Sequence, residues 1–270
     1  MQRAVAAEAA ILAVMHAVST RRVHRGRAAS TGRGRMGGCG VSIRLACLDM
    51  AGTTVSDGGA VEAAFGLAMA SAGVHPGDDS YERALRHVRA TMGQSKIVVF
   101  TALFDGDSRA AARANQVFED AYRSTVEAGR IAPIAGAEEV IRGLRHGGRK
   151  VCLTTGFAPA TRDAVLAALG WEKLADLVLS PADAGRGRPY PDMILTAVLR
   201  LEIESVADVA VAGDTVSDML AGHRAGASIV AGVLTGAHDR ATLGAAPHTH
   251  IIDSIADFPP LLTGSRSALS

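Results

Sequence analysis

"LACLDMAGTTVSDGG" (residues 45–59) decides how the rest of the chain is read. An apolar run reaches a carboxylate, Asp49, and then breaks into small turn-forming residues, the pattern of a buried strand delivering an acid to the end of a sheet. From residue 43 onward similar short runs alternate with helical patterns, as repeated strand–helix units around a parallel sheet require. The runs read as strands are IRLACLD (43–49), KVCLTT (150–155), DLVLS (176–180), VADVAVAG (206–213), ASIVAGV (227–233) and THII (249–252). Helices are expected at 135–148, 158–170 and 191–203, the last opened by a proline as a helix start permits. The expected fold class is therefore α/β, a doubly wound Rossmann-like parallel sheet.

Between residues 58 and 132 the alternation stops. Four helical patterns follow, at 61–73, 79–92, 95–104 and 108–128. A block placed just after the first strand cannot join the sheet, so an inserted α-helical cap domain is expected over 59–132, with 41–58 and 133–270 forming the core domain. Ligands of such sheets bind beyond the carboxyl ends of the strands, where this block emerges. Residues 1–40 read as a disordered N-terminal extension, superficially like a transit peptide, with Met36 a plausible alternative initiator.

The chain has 270 residues, 48% hydrophobic and 20% charged, the balance of an ordinary globular protein. Its net charge of +1 conceals seven arginines against Glu8 in the first 40 residues, which leaves the remainder near −5. That remainder gives no electrostatic reason to expect nucleic acid or an anionic membrane as partner. No apolar run is long enough to span a bilayer. Cys39, Cys47 and Cys152 lack any CxxC spacing and read as small hydrophobes of a reducing cytoplasm, the expected location.

Four features fall at strand ends or just after them. Asp49, followed by Gly52, Thr53 and Thr54, offers a carboxylate nucleophile beside a turn whose N–H groups can face an anion. "TTGF" (residues 154–157) places a hydroxyl and a backbone N–H before a helix, a natural phosphate contact. "GRGRPYPDM" (residues 185–193) holds Arg188 in a proline-stiffened loop, a fork for phosphate oxygens. "AGDTVSDM" (residues 212–219) sets Asp214 and Asp218 four residues apart, hard oxygen ligands that suit Mg²⁺. Alone, each of the first three is as well explained by a turn or surface charge, while helix capping explains one of Asp214 and Asp218 but not both.

Together and in this order, they resemble the haloacid dehalogenase superfamily of phosphotransferases, over residues 43–262. The resemblance implies Asp49 as the nucleophile that becomes an aspartyl phosphate and Thr155, with Gly156, as phosphoryl contacts. It implies Arg188 as the basic residue that neutralises phosphate, and Asp49, the Ala51 carbonyl, Asp214 and Asp218 as the ligands of Mg²⁺. Most phosphatases of the superfamily carry a second aspartate two residues after the nucleophile, to protonate the leaving alkoxide. Here that position is Ala51, which has no proton to give.

The "DMAGTT" run resembles the phosphonatase (phosphonoacetaldehyde hydrolase) branch, and "TMGQSKIVVF" (residues 91–100) resembles its Met-Gly-x-x-Lys segment. By that resemblance Met92 and Gly93 contact the substrate and Lys96 forms a Schiff base with its aldehyde, so that an iminium receives the electrons of the broken carbon–phosphorus bond. The chain has three lysines against 25 arginines, and arginine cannot form the imine. Departures from the branch are Val99 for a histidine, Phe157 for a tyrosine and Met50 for a tryptophan. The function implied is Mg²⁺-dependent hydrolysis of a small phosphonate, phosphonoacetaldehyde, to acetaldehyde and phosphate. Two alternatives stand beside it: a phosphatase for a small organic phosphate monoester, and an inactive module that binds a phospho-ligand. The expected partner is a small phosphonate or phosphate, and the cap helices are the candidate surface for a homodimer. His87, His223 and His238 show no ligand-like spacing and are expected in solvated or loop roles.

Overall fold

A computed structural model of the chain describes residues 42–263; the extension expected over 1–40, with Cys39 and Met36, lies outside them. Eight strands follow in chain order: β1 (Leu45–Asp49), β2 (Val55–Ser56), β3 (Ala132–Pro133), β4 (Lys150–Thr154), β5 (Leu177–Leu179), β6 (Val209–Gly213), β7 (Ile229–Val233) and β8 (His250–Ile252). Six of them form one parallel sheet in the order β5-β4-β1-β6-β7-β8. The chain runs outward from β1 to β4 and β5, then crosses back to lay β6 on the other side of β1. That reversal beside β1 is the switch point at which open α/β sheets leave a crevice.

Among the described helices are α1 (Ala60–Ser71), α2 (Asp79–Ala90), α3 (Lys96–Leu103), α4 (Ser108–Glu127), α5 (Ala137–His146), α6 (Pro159–Leu169), α7 (Pro181–Ala184), α8 (Asp192–Arg200) and α9 (Val216–Ala225). Alternation along β1 explains why its sequence is apolar as far as Leu48. Ala46 and Leu48 join a core with Ile141 of α5 and Val165 of α6. Leu45 and Cys47 face the opposite way, toward Met193 and Ile194 of α8 and Ala221 of α9. A strand covered on both faces has no polar side. Leu45 and Leu48 are fully buried, each contributing about 1.5–3 kcal/mol. Cys47 and Cys152 are buried free thiols at paired positions of β1 and β4, as expected of small core residues.

The run read as a strand from residue 206 begins its pairing only at Val209. Its first three residues instead form a 3₁₀ turn, Val206–Asp208, because the Ser205 hydroxyl accepts the Ala207 N–H.

Helices α1 to α4 lie between β2 and β3. Phe65 of α1, Phe100 of α3 and Phe118 of α4 hold the insertion together, with the Phe65 ring centroid 4.9 Å from that of Phe100 and 4.8 Å from that of Phe118. The N-terminus of α4 is fixed by Asp107, which accepts the N–H groups of Arg109 and Ala110 at 2.9 and 3.0 Å. Below, α4 packs against α6 of the sheet layer. His238 adds a second tie: its Nδ1 accepts the Val216 N–H at 3.0 Å, so its Nε2 carries the proton and donates to the Arg89 carbonyl at 3.1 Å. No described helix is long and apolar enough to cross a membrane.

Candidate active site

Asp49 ends β1, and the chain turns at once around a single carbonyl. The Met50 oxygen accepts the N–H groups of Thr53, Thr54 and Val55 at 3.2, 2.9 and 2.8 Å, while the Thr54 hydroxyl donates to the Asp49 carbonyl at 2.8 Å. This tight coil needs small residues and holds the Asp49 carboxylate at the floor of a cavity of about 350 Å³. Burial pushes the Asp49 carboxyl well above the usual carboxylate range; Arg188 pulls it back and the charges of Asp218 and Asp214 push it further up.

Asp214 follows β6 directly and Asp218 lies one turn into α9, so both arrive beside Asp49. One oxygen from each of the three carboxylates can be chosen so that all lie within 4.8 Å of one another. Asp214 accepts the Thr53 hydroxyl at 3.2 Å and the Ala237 N–H at 2.7 Å. Its pKa is pushed up to about 6 by burial and by Asp218. Thr215 caps α9 by accepting the Asp218 N–H at 3.3 Å, and the Asp218 carboxylate accepts the Thr215 N–H at 3.2 Å in return.

A single buried arginine serves this trio. Arg188 Nη1 is ion-paired with Asp218 and lies 2.7 Å from Asp49 Oδ1. Burial opposes its charge, but Asp218 and Asp49 more than offset that and hold it firmly protonated. The contact with Asp49 does not meet hydrogen-bond geometry, which leaves Asp49 Oδ1 buried without a hydrogen bond. Three buried carboxylates beside one cation are short of positive charge, and an all-oxygen donor set with an unused buried oxygen fits a hard divalent cation. Arg188 Nε is also buried without an acceptor, so the guanidinium keeps a donor for an anion in the cavity it lines. Its loop is braced by the bidentate Arg186–Asp192 pair at 2.8 and 2.9 Å and by Arg224 donating to the Pro189 carbonyl at 2.7 Å.

The insertion supplies the opposite wall. Gly93 and Gly156 let its loop approach the sheet: a Cβ on Gly156 would lie 2.5 Å from the Gln94 carbonyl, and one on Gly93, at φ +81°, 2.4 Å from the Thr215 hydroxyl. Lys96, at the first turn of α3, is 6% exposed. Its Nζ sits 5.5 to 5.7 Å from the ring centroids of Phe65, Phe118 and Phe157. Among the described residues it has neither ion pair nor hydrogen bond. Burial lowers its pKa to about 8, helped by Arg188 and opposed by Asp49, Glu119 and Asp57.

Asp49, Ala51, Met92, Gly93, Lys96, Thr155, Gly156, Arg188 and Asp214 all line the one cavity. Asp218 does not; it lies beneath, against Arg188 and Thr215. The Thr155 hydroxyl accepts the Phe157 N–H at 3.2 Å, which turns the chain toward α6. Val99 is buried in the apolar core and Phe157 in the aromatic cluster, so neither position offers a polar group. Asp57, Thr215 and Thr235 line the cavity without having been singled out from the sequence, and Glu119 stands close behind Lys96. Asp57 and Thr215 fall within stretches already quoted, but only their place in the fold shows that they reach the cavity, and Thr235 and Glu119 belong to no recognisable spacing.

Known proteins resemble this chain in sequence and in fold. The curated relatives include the phosphonoacetaldehyde hydrolase of Bordetella pertussis, 34% identical over 162 residues, which cover 51% of this chain and 58% of that protein. The enzyme of the same name from Bacillus cereus is 39% identical over 109 residues, 40% of each chain. The chain thus spans less than two thirds of the length of these relatives. Among solved structures, a phosphonoacetaldehyde hydrolase-like protein from Oleispira antarctica matches with a TM-score of 0.69 at 25% identity, covering 89% of this chain and 96% of that one. A hydrolase from Pseudomonas syringae shares the fold, with a TM-score of 0.68 at 23% identity over 80% of this chain and 95% of that one. The model of the haloacid dehalogenase-like hydrolases matches residues 43–226, from β1 through α9 and therefore through every strand end that carries the acids, and the chain belongs to that family of enzymes.

Proposed function

We propose that this enzyme hydrolyses the carbon–phosphorus bond of a small phosphonate bearing a carbonyl group, with phosphonoacetaldehyde as substrate and acetaldehyde and phosphate as products. The observation that carries the reading is Lys96, a buried amine with no ionic partner, set in an aromatic cage that faces the same cavity as Asp49. A lysine that merely solvated a surface would not bear this burial.

Lys96 in its neutral form condenses with the aldehyde, and the protonated imine becomes the electron sink. Asp49 attacks phosphorus in line; the electrons of the carbon–phosphorus bond pass into the iminium, leaving an enamine on Lys96 and a phosphoryl group on Asp49. Arg188, through its free Nε–H, and the hydroxyl of Thr155, with the backbone at Gly156, hold the phosphoryl oxygens. Met92 and Gly93 close the cavity over the carbon chain. Asp49, the Ala51 carbonyl, Asp214 and Asp218 would hold Mg²⁺, which when bound supplies positive charge against the phosphoryl oxygens. Water then cleaves the aspartyl phosphate, and protonation and hydrolysis of the enamine free Lys96. The reading also accounts for Ala51: an enamine leaving group needs no acid two residues after the nucleophile.

The test is phosphate release from a panel of phosphonates and phosphate monoesters, with borohydride added during turnover of phosphonoacetaldehyde. The expected result is release from the phosphonate, a reduced adduct at Lys96, and loss of both in Lys96→Arg. Turnover without an adduct, or Lys96→Arg keeping activity, would replace this reading with a phosphatase for a small organic phosphate. Binding of phosphate without release from any compound would indicate a phospho-ligand module.

A further inference from the structure

We propose that Glu119 is the proton-transfer residue for Lys96 during imine formation, an inference that rests on the Schiff-base reading of Lys96 given above. A second cavity, of about 390 Å³, lies along the other side of the lysine, and its walls include Lys96, Glu119, Asn115, Phe157 and Arg188. Glu119 projects from α4 and is 6% exposed. One of its oxygens is accounted for, since Oε1 accepts the Ala158 N–H at 3.3 Å. The other, Oε2, is buried with no hydrogen-bond partner. A buried carboxylate oxygen left unsatisfied is costly, and the N–H at the start of α6 engages only the other oxygen.

The alternatives are occupied or absent. Asp57 also lines the main cavity, but its Oδ1 accepts the Gly59 N–H at 3.0 Å and its Oδ2 the Tyr122 hydroxyl at 3.3 Å. Val99, one helical turn beyond Lys96, is buried among apolar side chains. Among the described residues, two carboxylate oxygens without a hydrogen bond stand on walls shared with Lys96: Asp49 Oδ1, which belongs to the nucleophile, and Glu119 Oε2 in the second cavity. Glu119 and Lys96 form no ion pair, and the proposal routes the proton through one water in the second cavity that both residues line.

The protons balance. Glu119 takes one from the Lys96 ammonium, and the freed lone pair adds to the aldehyde carbon while the carbonyl electrons move to oxygen. A second proton moves from nitrogen to that oxygen, giving the carbinolamine. Glu119 then returns its proton to the hydroxyl, the carbon–oxygen bond breaks, and water leaves as the nitrogen lone pair forms the iminium. The net change is ammonium plus aldehyde to iminium plus water, with Glu119 again a carboxylate.

The test isolates the imine step from phosphorus chemistry by using acetaldehyde with borohydride and following the reduced adduct at Lys96 by peptide mass spectrometry. Glu119→Gln keeps the shape and the acceptor for Ala158, and is expected to slow adduct formation by about 10²–10⁴-fold with an unchanged melting temperature. Glu119→Ala is expected to be equally slow and to recover in added formate, a response that a packing role would not give. Adduct formation at the wild-type rate in Glu119→Gln, or an absence of formate rescue in a folded Glu119→Ala, overturns the role of Glu119 while leaving Lys96 in place. Absence of an adduct in the wild-type protein overturns the Schiff-base reading itself.

Discussion

Replacing Lys96 by methionine should make the protein more stable while it abolishes the chemistry. Burial, with Arg188, lowers the Lys96 pKa from 10.5 to about 8. At about 1.36 kcal/mol per pKa unit, keeping the ammonium in the folded state at pH 7 costs roughly 3 kcal/mol. The three ring faces return part of it. The sign follows from proton counting. Between about 8 and the pKa of an unfolded lysine, near 10.4, the unfolded chain binds more protons than the folded one, so stability rises with pH across that window. Below it the penalty is constant, and above it the penalty is gone. Lys96→Met is therefore expected to gain about 1–3 kcal/mol at pH 7, and to lose that advantage by about pH 10.5. Denaturant unfolding of both proteins at pH 7, 8, 9 and 10 measures this. Competitive acylation with peptide mapping reads the same property directly: roughly a tenth of Lys96 is neutral at pH 7 against less than a thousandth of an ordinary lysine. The exposed Lys150 and Lys173 serve as internal references. If Lys96→Met is destabilised at pH 7, or if Lys96 titrates in step with the references, the account of a desolvated amine is wrong.

Mg²⁺ should raise the melting temperature at pH 7.5, and Asp214→Asn should abolish the rise. The effect should weaken as pH falls through about 6, where Asp214 takes up the proton that burial and Asp218 favour; a shift independent of pH by calorimetry would argue against this carboxylate as ligand. Gly156→Ala places a methyl 2.5 Å from the Gln94 carbonyl and is expected to cost about 1–3 kcal/mol and to lower kcat by displacing the loop before Lys96. An unchanged melting temperature and kcat would show that the loop is not held there.

The sheet was legible because the central residues of β1, β4, β6 and β7 are covered on both faces and therefore apolar in succession. The four inserted helices were legible from their period, to within a residue or two at most ends. β2 and β3 were not, since two-residue strands have no periodicity and Val55 meets Pro133 only after the whole insertion has folded back. The candidate site divides in the same way. Asp49 and Asp214 stand at strand ends and Asp218 one turn into the following helix, so their order along the chain, together with the family resemblance, marked them. Glu119 sits mid-helix among ordinary polar residues of an amphipathic pattern, and its burial depends on how α4 meets α6. The linking role of Arg188 between two carboxylates, and the tie from His238 to the Arg89 carbonyl, likewise arise from contacts far apart in sequence.

The pairing of β2 with β3 sets Ser56 opposite Ala132. Both connections of the 75 intervening residues therefore enter and leave through one narrow doorway, and a short turn joining those two positions would close the chain without disturbing the sheet. Such a layout makes the insertion an exchangeable cassette. Asp49, Asp214 and Asp218 belong to the part that stays, and Lys96 to the part that can be swapped. On the function proposed above, variation within the cassette can alter which leaving groups are handled, while the residues assigned to receive phosphorus remain as they are.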